Sequence, residues 1–159
     1  MKNGVALLSL LLVAGVATGC TQPAENPPAP PAAAAPAAPV VSAATTAEVL
    51  KRHQDTFGKS DLEGVLADYA ADATMFYPGG TVKGSAELRK TFEGILAEWG
   101  KPGTTFKMNK EVVDGAYAYT YWDATTADNV YEGATDVFVV NDGKIVAHFF
   151  AGKITPKKK

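Results

Sequence analysis

One cysteine and two histidines in 159 residues leave little material for thiolate or imidazole chemistry. Cys20 has no second cysteine to pair with, so no internal disulfide can staple the chain and a zinc site built from several cysteines is excluded. Positive charge is also short. The 15 Lys and Arg stand against 17 Asp and Glu, a formal net charge of −2. Nucleic-acid binding depends on clustered positive charge, and only the lysines of the 157–159 tail are clustered, so no nucleic-acid partner is expected. No glycine-rich phosphate cradle is present, because Pro78-Gly79-Gly80 lacks the strand, loop and lysine context of one and reads as a turn. No internal repeat is evident. Long apolar runs are equally scarce: the one candidate, residues 5–17, is too short to span a bilayer comfortably as a permanent helix.

That run has a lysine before it and small residues after it. Lys2, the apolar stretch and then Ala17-Thr18-Gly19-Cys20 follow the physical pattern of a bacterial secretion signal. The segment resembles the lipobox of bacterial lipoproteins, in which the cysteine is acylated through sulfur and becomes the new N-terminus, although Ala17 stands where leucine is usual. The resemblance implies a signal peptide over residues 1–19, lipidation at Cys20, anchorage to a membrane and residence in the bacterial cell envelope. In a cell with two membranes it favours the outer membrane, facing the periplasm, because Thr21-Gln22 lacks the aspartate associated with inner-membrane retention. Residues 20–44 then read as a lipidated cysteine followed by a Pro/Ala-rich tether. Polyproline-like chain at about 3.1 Å per residue would let it reach about 70 Å.

Every Phe, Tyr and Trp falls within residues 45–156, a single-domain length that can bury a core without staples. Val49, Leu50, His53 and Phe57 recur at helical spacing behind a capping box formed by Thr45 and Glu48. A second helix starts at Ser60-Asp61 with Leu62, Val65, Leu66 and Tyr69 as its apolar stripe, and a short strand follows over residues 74–77. Ser85 opens a third helix carrying Leu88, Phe92, Ile95, Leu96 and Trp99, which ends at Gly100-Lys101-Pro102-Gly103. Beyond Gly103 the apolar period becomes two. Residues 106–113, 116–125, 130–140 and 144–154 read as four strands, with Asn141-Asp142-Gly143 as a tight hairpin turn between the last two. Residues 157–159 form a basic tail.

The run Ser60-Asp61-Leu62-Glu63-Gly64-Val65-Leu66-Ala67-Asp68-Tyr69-Ala70-Ala71-Asp72-Ala73-Thr74, then a strand, Pro78-Gly79-Gly80, Gly84 before a helix, and the closing Asp136, Phe138 and Asp142-Gly143-Lys144-Ile145, resembles the NTF2-like superfamily. Within it the chain is most similar to the SnoaL-like branch related to ketosteroid isomerase. The resemblance implies an α+β fold, a cone-shaped barrel with three N-terminal helices packed on a strongly curved, mostly antiparallel sheet, and a homodimer formed through that sheet. It implies less about chemistry, because isomerases, cyclases, dehydratases and binding domains share the scaffold. By position, the catalytic aspartate of ketosteroid isomerase falls on Tyr77, a poor base with an ordinary pKa near 10, and the two oxyanion-hole groups fall on His53 and Asp136.

His148 is the remaining candidate base, and the hairpin turning at residues 141–143 brings it toward Asp136 on the preceding strand. A histidine oriented by a carboxylate can move protons; equally, the two can satisfy one another inside an apolar pocket. His53, Phe57, Tyr77, Trp99, Trp122, Asp136, Phe138 and His148 are the expected pocket-lining or ligand-binding residues. No metal or cofactor is expected, since no ligand spacing of the usual metal motifs occurs. The main expectation is a membrane-anchored, non-catalytic domain that binds a small apolar or amphipathic molecule or an envelope protein. Two alternatives stand beside it: a small isomerase, cyclase or hydratase-type lyase using His148 and Asp136, and a structural interaction module without an open pocket.

Overall fold

The structure, a computed structural model, describes residues 42–158. The signal peptide, Cys20 and all of the tether before Ser42 lie outside the described residues.

Helix α1, Ala43–Gly58, starts earlier than the Thr45/Glu48 box implies, because Ser42 is its cap. The Ser42 hydroxyl oxygen accepts from the Thr45 backbone N–H at 3.1 Å, satisfying one of the donors a helix start leaves open. Its buried residues are Thr46, Val49, Leu50 and His53, one helical stripe. Asp61 likewise caps α2, Leu62–Ala67, accepting from Gly64 N–H at 3.0 Å. This helix stops before Tyr69, which opens strand β1, Tyr69–Tyr77. A four-residue strand not expected from the sequence, β2 at Gly80–Lys83, pairs back on β1 and leads into α3, Ser85–Trp99, which buries Leu88, Phe92 and Leu96. Strands β3 (Thr105–Asp114), β4 (Tyr117–Thr125), β5 (Asn129–Asn141) and β6 (Lys144–Pro156) complete the chain. Asp142 and Gly143, with φ of 47° and 71°, form the two-residue link between β5 and β6, as a type I′ hairpin turn requires.

The six strands make one sheet in the order β2-β1-β6-β5-β4-β3. Strand β1 runs parallel to β6, and the other four pairings are antiparallel. The expected cone-shaped barrel is therefore not what the chain forms: the sheet is mixed, open and only moderately curved. Closure would need hydrogen bonds between edge strands β2 and β3. The chain between them is instead taken up by α3, and β2, only four residues long, ends at Lys83. The three helices are not all N-terminal either, because α3 follows the β1–β2 hairpin. Pairing of β1 with the distant β6 is a tertiary choice that no local pattern in residues 69–77 announces.

One sheet face carries Met75, Ala118, Phe138, Val140 and Ile145 into a core with Val49, Leu50, Val65, Leu88 and Phe92. A second cluster, Trp122, Ala124, Tyr131 and Ala134, continues the same face toward Trp99 and Met108. On the other face Phe76 and Phe149 stack at 4.6 Å, and Tyr117 and Tyr121 are exposed.

Candidate active site

Three neighbouring strands place the polar side chains of the core face. Thr120 of β4 lies opposite Asp136 of β5, which in turn lies opposite Phe150 of β6, while Phe138 pairs with His148. Asp136 and His148 are thus diagonal neighbours across the hairpin, a spacing that a long side chain can bridge. His148 Nε2 lies 2.9 Å from Asp136 Oδ1. Strict alternation along β6 would put Lys144 and Val146 on the same face as His148, but the strand is not regular there. A register shift between the Val139 and Val140 pairs puts Ile145 in the core instead, leaving Lys144 exposed and Val146 half-buried.

The other His148 nitrogen, Nδ1, lies 2.8 Å from the Tyr69 hydroxyl. Both Tyr69 and His148 are buried, and burial pushes the Tyr69 pKa well above the usual tyrosine range, so the phenol keeps its proton. Asp136 Oδ2 accepts from the Trp122 indole N–H at 2.6 Å and more weakly from the Thr120 hydroxyl at 3.4 Å. The carboxylate is the wetter member of the pair: its side chain is 15% exposed against 6% for His148.

His53 reaches the same region from α1. Its ring meets Phe138 edge-on at 5.3 Å, Tyr69 at 5.5 Å and His148 at 6.4 Å. Burial first, and then the coulombic interaction with His148, pushes its pKa down to about 3, so the imidazole is neutral near pH 7. Its Nδ1 makes no hydrogen bond and stands 3.8 Å from Asp68 Oδ2, also unpartnered. The other Asp68 oxygen accepts from Arg52 Nε, yet burial outweighs that partner and raises the Asp68 pKa.

Phe57 and Trp99 join this wall, 5.3 Å apart, and Trp99 meets Trp122 edge-on at 5.5 Å. The structure therefore brings His53, Phe57, Trp99, Trp122, Asp136, Phe138 and His148 into one continuous set of contacts. Tyr77 is the exception. It is 41% exposed and, with Phe76, Val137 and Phe149, lines a shallow groove of about 410 Å³. Tyr69 is the functional group that sequence reasoning missed in kind. Ala70-Ala71-Asp72-Ala73 after it have helix-compatible composition, so the tyrosine read as the end of a helical stripe when it is the start of a strand. Among the described residues no group of three or more His, Cys, Asp and Glu side chains is arranged to hold a metal ion.

The arrangement can hold a carboxyl group oriented by the Trp122 indole N–H and the His148 ring at the edge of an apolar interior. It also keeps a neutral histidine, His53, within the same aromatic wall.

The fold is widely shared. An NTF2-like protein of unknown function from Mesorhizobium loti has a TM-score of 0.61 and 25% identity, covering 70% of this chain and 93% of that one. A ketosteroid-isomerase candidate from Kribbella flavida has a TM-score of 0.59 at 16% identity, over 75% of this chain and 85% of that one. The epoxide hydrolase/cyclase-like enzyme SalBIII, of pyran ring formation in the polyether salinomycin, reaches 0.61 at 16% identity, over 72% and 97%. At such identities the last two share the fold alone. No curated protein matches the chain significantly. The sequence profile of the SnoaL-like domain matches residues 50–148, from α1 to the site histidine itself, and by that match the chain belongs to the SnoaL-like domain family.

Proposed function

We propose that the domain is an acid–base enzyme, an isomerase, cyclase or hydratase-type lyase, acting on a small apolar or amphipathic substrate through the His148–Asp136 pair. The observation that carries this reading is the buried chain Tyr69–His148–Asp136, with contacts of 2.8 and 2.9 Å ending in a partly exposed carboxylate. A non-catalytic binder, the main expectation from the sequence, needs its polar atoms only to be satisfied. It does not need a histidine fixed at both nitrogens beside a carboxylate that retains access to solvent.

In an isomerisation the pair would take a proton from a carbon beside a carbonyl, the C–H electrons would move into an enolate, and the same proton would return to a different carbon. Neutral His53 is the candidate to polarise the substrate oxygen. In a cyclisation the proton would leave an attacking hydroxyl as its oxygen bonds to an epoxide carbon, and the opened epoxide oxygen would be protonated. Two relatives by fold carry names of these reaction types, an isomerase candidate and an epoxide hydrolase/cyclase-like enzyme, which supports the class without naming a substrate.

The test uses two probes: a β,γ-unsaturated cyclic ketone, followed by absorbance of the conjugated product, and an epoxy alcohol, followed by chromatography of the closed ring. Asp136→Asn and His148→Ala are each expected to lower turnover, Asp136→Asn by at least about 100-fold, with circular dichroism unchanged. Wild-type protein that binds the probes and turns over neither would return the domain to the binding class.

We further propose that the domain is displayed from a membrane of the cell envelope through a lipidated Cys20, as the lipobox resemblance implies. Wild-type protein should then partition into detergent and carry acyl mass on Cys20, and Cys20→Ser should remain unlipidated. An unmodified Cys20 in the mature chain would overturn the anchor. The homodimer expected from the sequence would use the outward face of Phe76, Phe149, Tyr117 and Tyr121, and sedimentation showing only monomer would count against it.

A further inference from the structure

Resting on the acid–base reading, we propose that Asp136, and not His148, meets the substrate, and that Tyr69 and His148 are positioning residues that orient its carboxylate. The direction of each hydrogen bond decides this. An indole N–H can only donate, so Asp136 Oδ2 is an acceptor toward Trp122 at 2.6 Å. An ionised carboxylate has no proton to give, so at the 2.9 Å contact with Oδ1 the proton sits on His148 Nε2. Tyr69 keeps its phenol proton and has no other acceptor among the described residues, so its O–H donates into Nδ1 at 2.8 Å and that nitrogen holds the lone pair. Neither His148 nitrogen is left with a free lone pair.

The surroundings point the same way. Phe138 stacks on the His148 ring at 4.3 Å with 26° between planes, and the His53 ring stands 6.4 Å away, so the imidazole is enclosed by rings. Asp136 has about four acceptor positions as a carboxylate. His148 and Trp122 fill two, and the Thr120 contact of 3.4 Å is weak. The carboxylate therefore has both the open acceptor capacity and, at 15% against 6%, the greater exposure. Aromatic side chains line the interior beside it, with Trp122 against Trp99, Phe106 and Phe150 at 5.5, 5.6 and 6.1 Å. A proton taken from substrate would reside on an Asp136 oxygen while His148 Nε2–H continues to donate to the same carboxyl group.

The experiment has two arms, both on the full chain. In the first, ¹⁵N NMR of histidine-labelled protein near neutral pH is expected to show His148 as one tautomer, protonated at Nε2, with an unprotonated Nδ1. Tyr69→Phe should shift the Nδ1 resonance and leave the Nε2 proton in place. A proton on Nδ1, or an Nδ1 resonance unmoved by Tyr69→Phe, overturns the assignment whether or not a substrate is ever found. The second arm uses the ketone and epoxy-alcohol probes. His148→Gln, whose amide N–H can still donate to Asp136 but cannot serve as a base, should lose less than about tenfold in kcat, against at least about 100-fold for Asp136→Asn. Tyr69→Phe should lower kcat with KM unchanged. Equal losses in His148→Gln and Asp136→Asn would make His148 the base and sink this inference while leaving the enzyme reading intact. No turnover by wild type would sink the enzyme reading, and the NMR arm would still decide the tautomer.

Discussion

Phe92→Ala is expected to destabilise the domain by about 3–5 kcal/mol, the range for truncating a fully buried aromatic side chain. Phe92 is 2% exposed on the inner face of α3, among Val49, Leu50, Val65 and Leu88. Its ring lies 5.5 Å from that of Tyr69 and 6.2 Å from that of His53. The neighbours belong to a helix, a strand and a second helix, so they cannot all move inward together to fill the space. A domain of this size has about 5–15 kcal/mol of total stability, so the variant should retain a folded state with a much lower urea midpoint, shifted by roughly 2 M. Trp99, which the sequence places on the same apolar stripe, is only half-buried, and its truncation should cost less. Urea unfolding followed by circular dichroism checks both. A Phe92→Ala midpoint within about 0.3 M of wild type would mean that α3 is not packed on the sheet in this way.

The parts of the fold that were legible are those whose cause is local. Helix α3 announces itself by a 3.6-residue apolar period and a glycine-rich stop, and the β5–β6 hairpin by Asp142-Gly143, the two residues best able to take positive φ in sequence. What could not be read is what depends on partners far away in the chain. Strand β1 is held by its pairing with β6, some seventy residues later, and by β2. Its Ala-rich first half has a stronger local leaning toward helix than toward strand. The same non-local choice leaves β2 and β3 as free edges and the sheet open, against the cone that family resemblance implied. The site divides along this line. The hairpin turn places Asp136 and His148 on adjoining strands, but they share a face only through the register shift between the Val139 and Val140 pairs, and Tyr69 reaches His148 only through the β1–β6 pairing. The turning away of Tyr77 depends on where β1 ends and on the outward stacking of Phe76 with Phe149.

His53 should make stability strongly dependent on pH on the acid side of neutrality. Burial first, then the coulombic interaction with His148 and more weakly with Arg52, lower its folded pKa to about 3, with Asp136 pulling the other way. In the unfolded chain the same imidazole takes a proton near its ordinary pKa of about 6.5. Between those values the unfolded state binds more protons than the folded one, so stability is complete above about pH 6.5 and is lost as the pH falls toward 3. Going from pH 7 to pH 4, the His53 contribution alone amounts to on the order of 3 kcal/mol of destabilisation. Asp68 opposes this. Its folded pKa is raised by burial, so the folded state takes up that proton first on acidification and recovers part of the loss. Protonated Asp68 would also have an O–H to offer His53 Nδ1, which now stands unpartnered 3.8 Å away. His53→Phe isolates the imidazole, since its surroundings are already the rings of Phe57, Tyr69, Phe92 and Phe138. Urea unfolding of both proteins at several values between pH 7 and pH 4 should give a steep decline for wild type and a much shallower one for the variant. Parallel profiles would show that His53 is charged or solvated in the folded state, and with that the neutral donor assigned to it in catalysis would be lost.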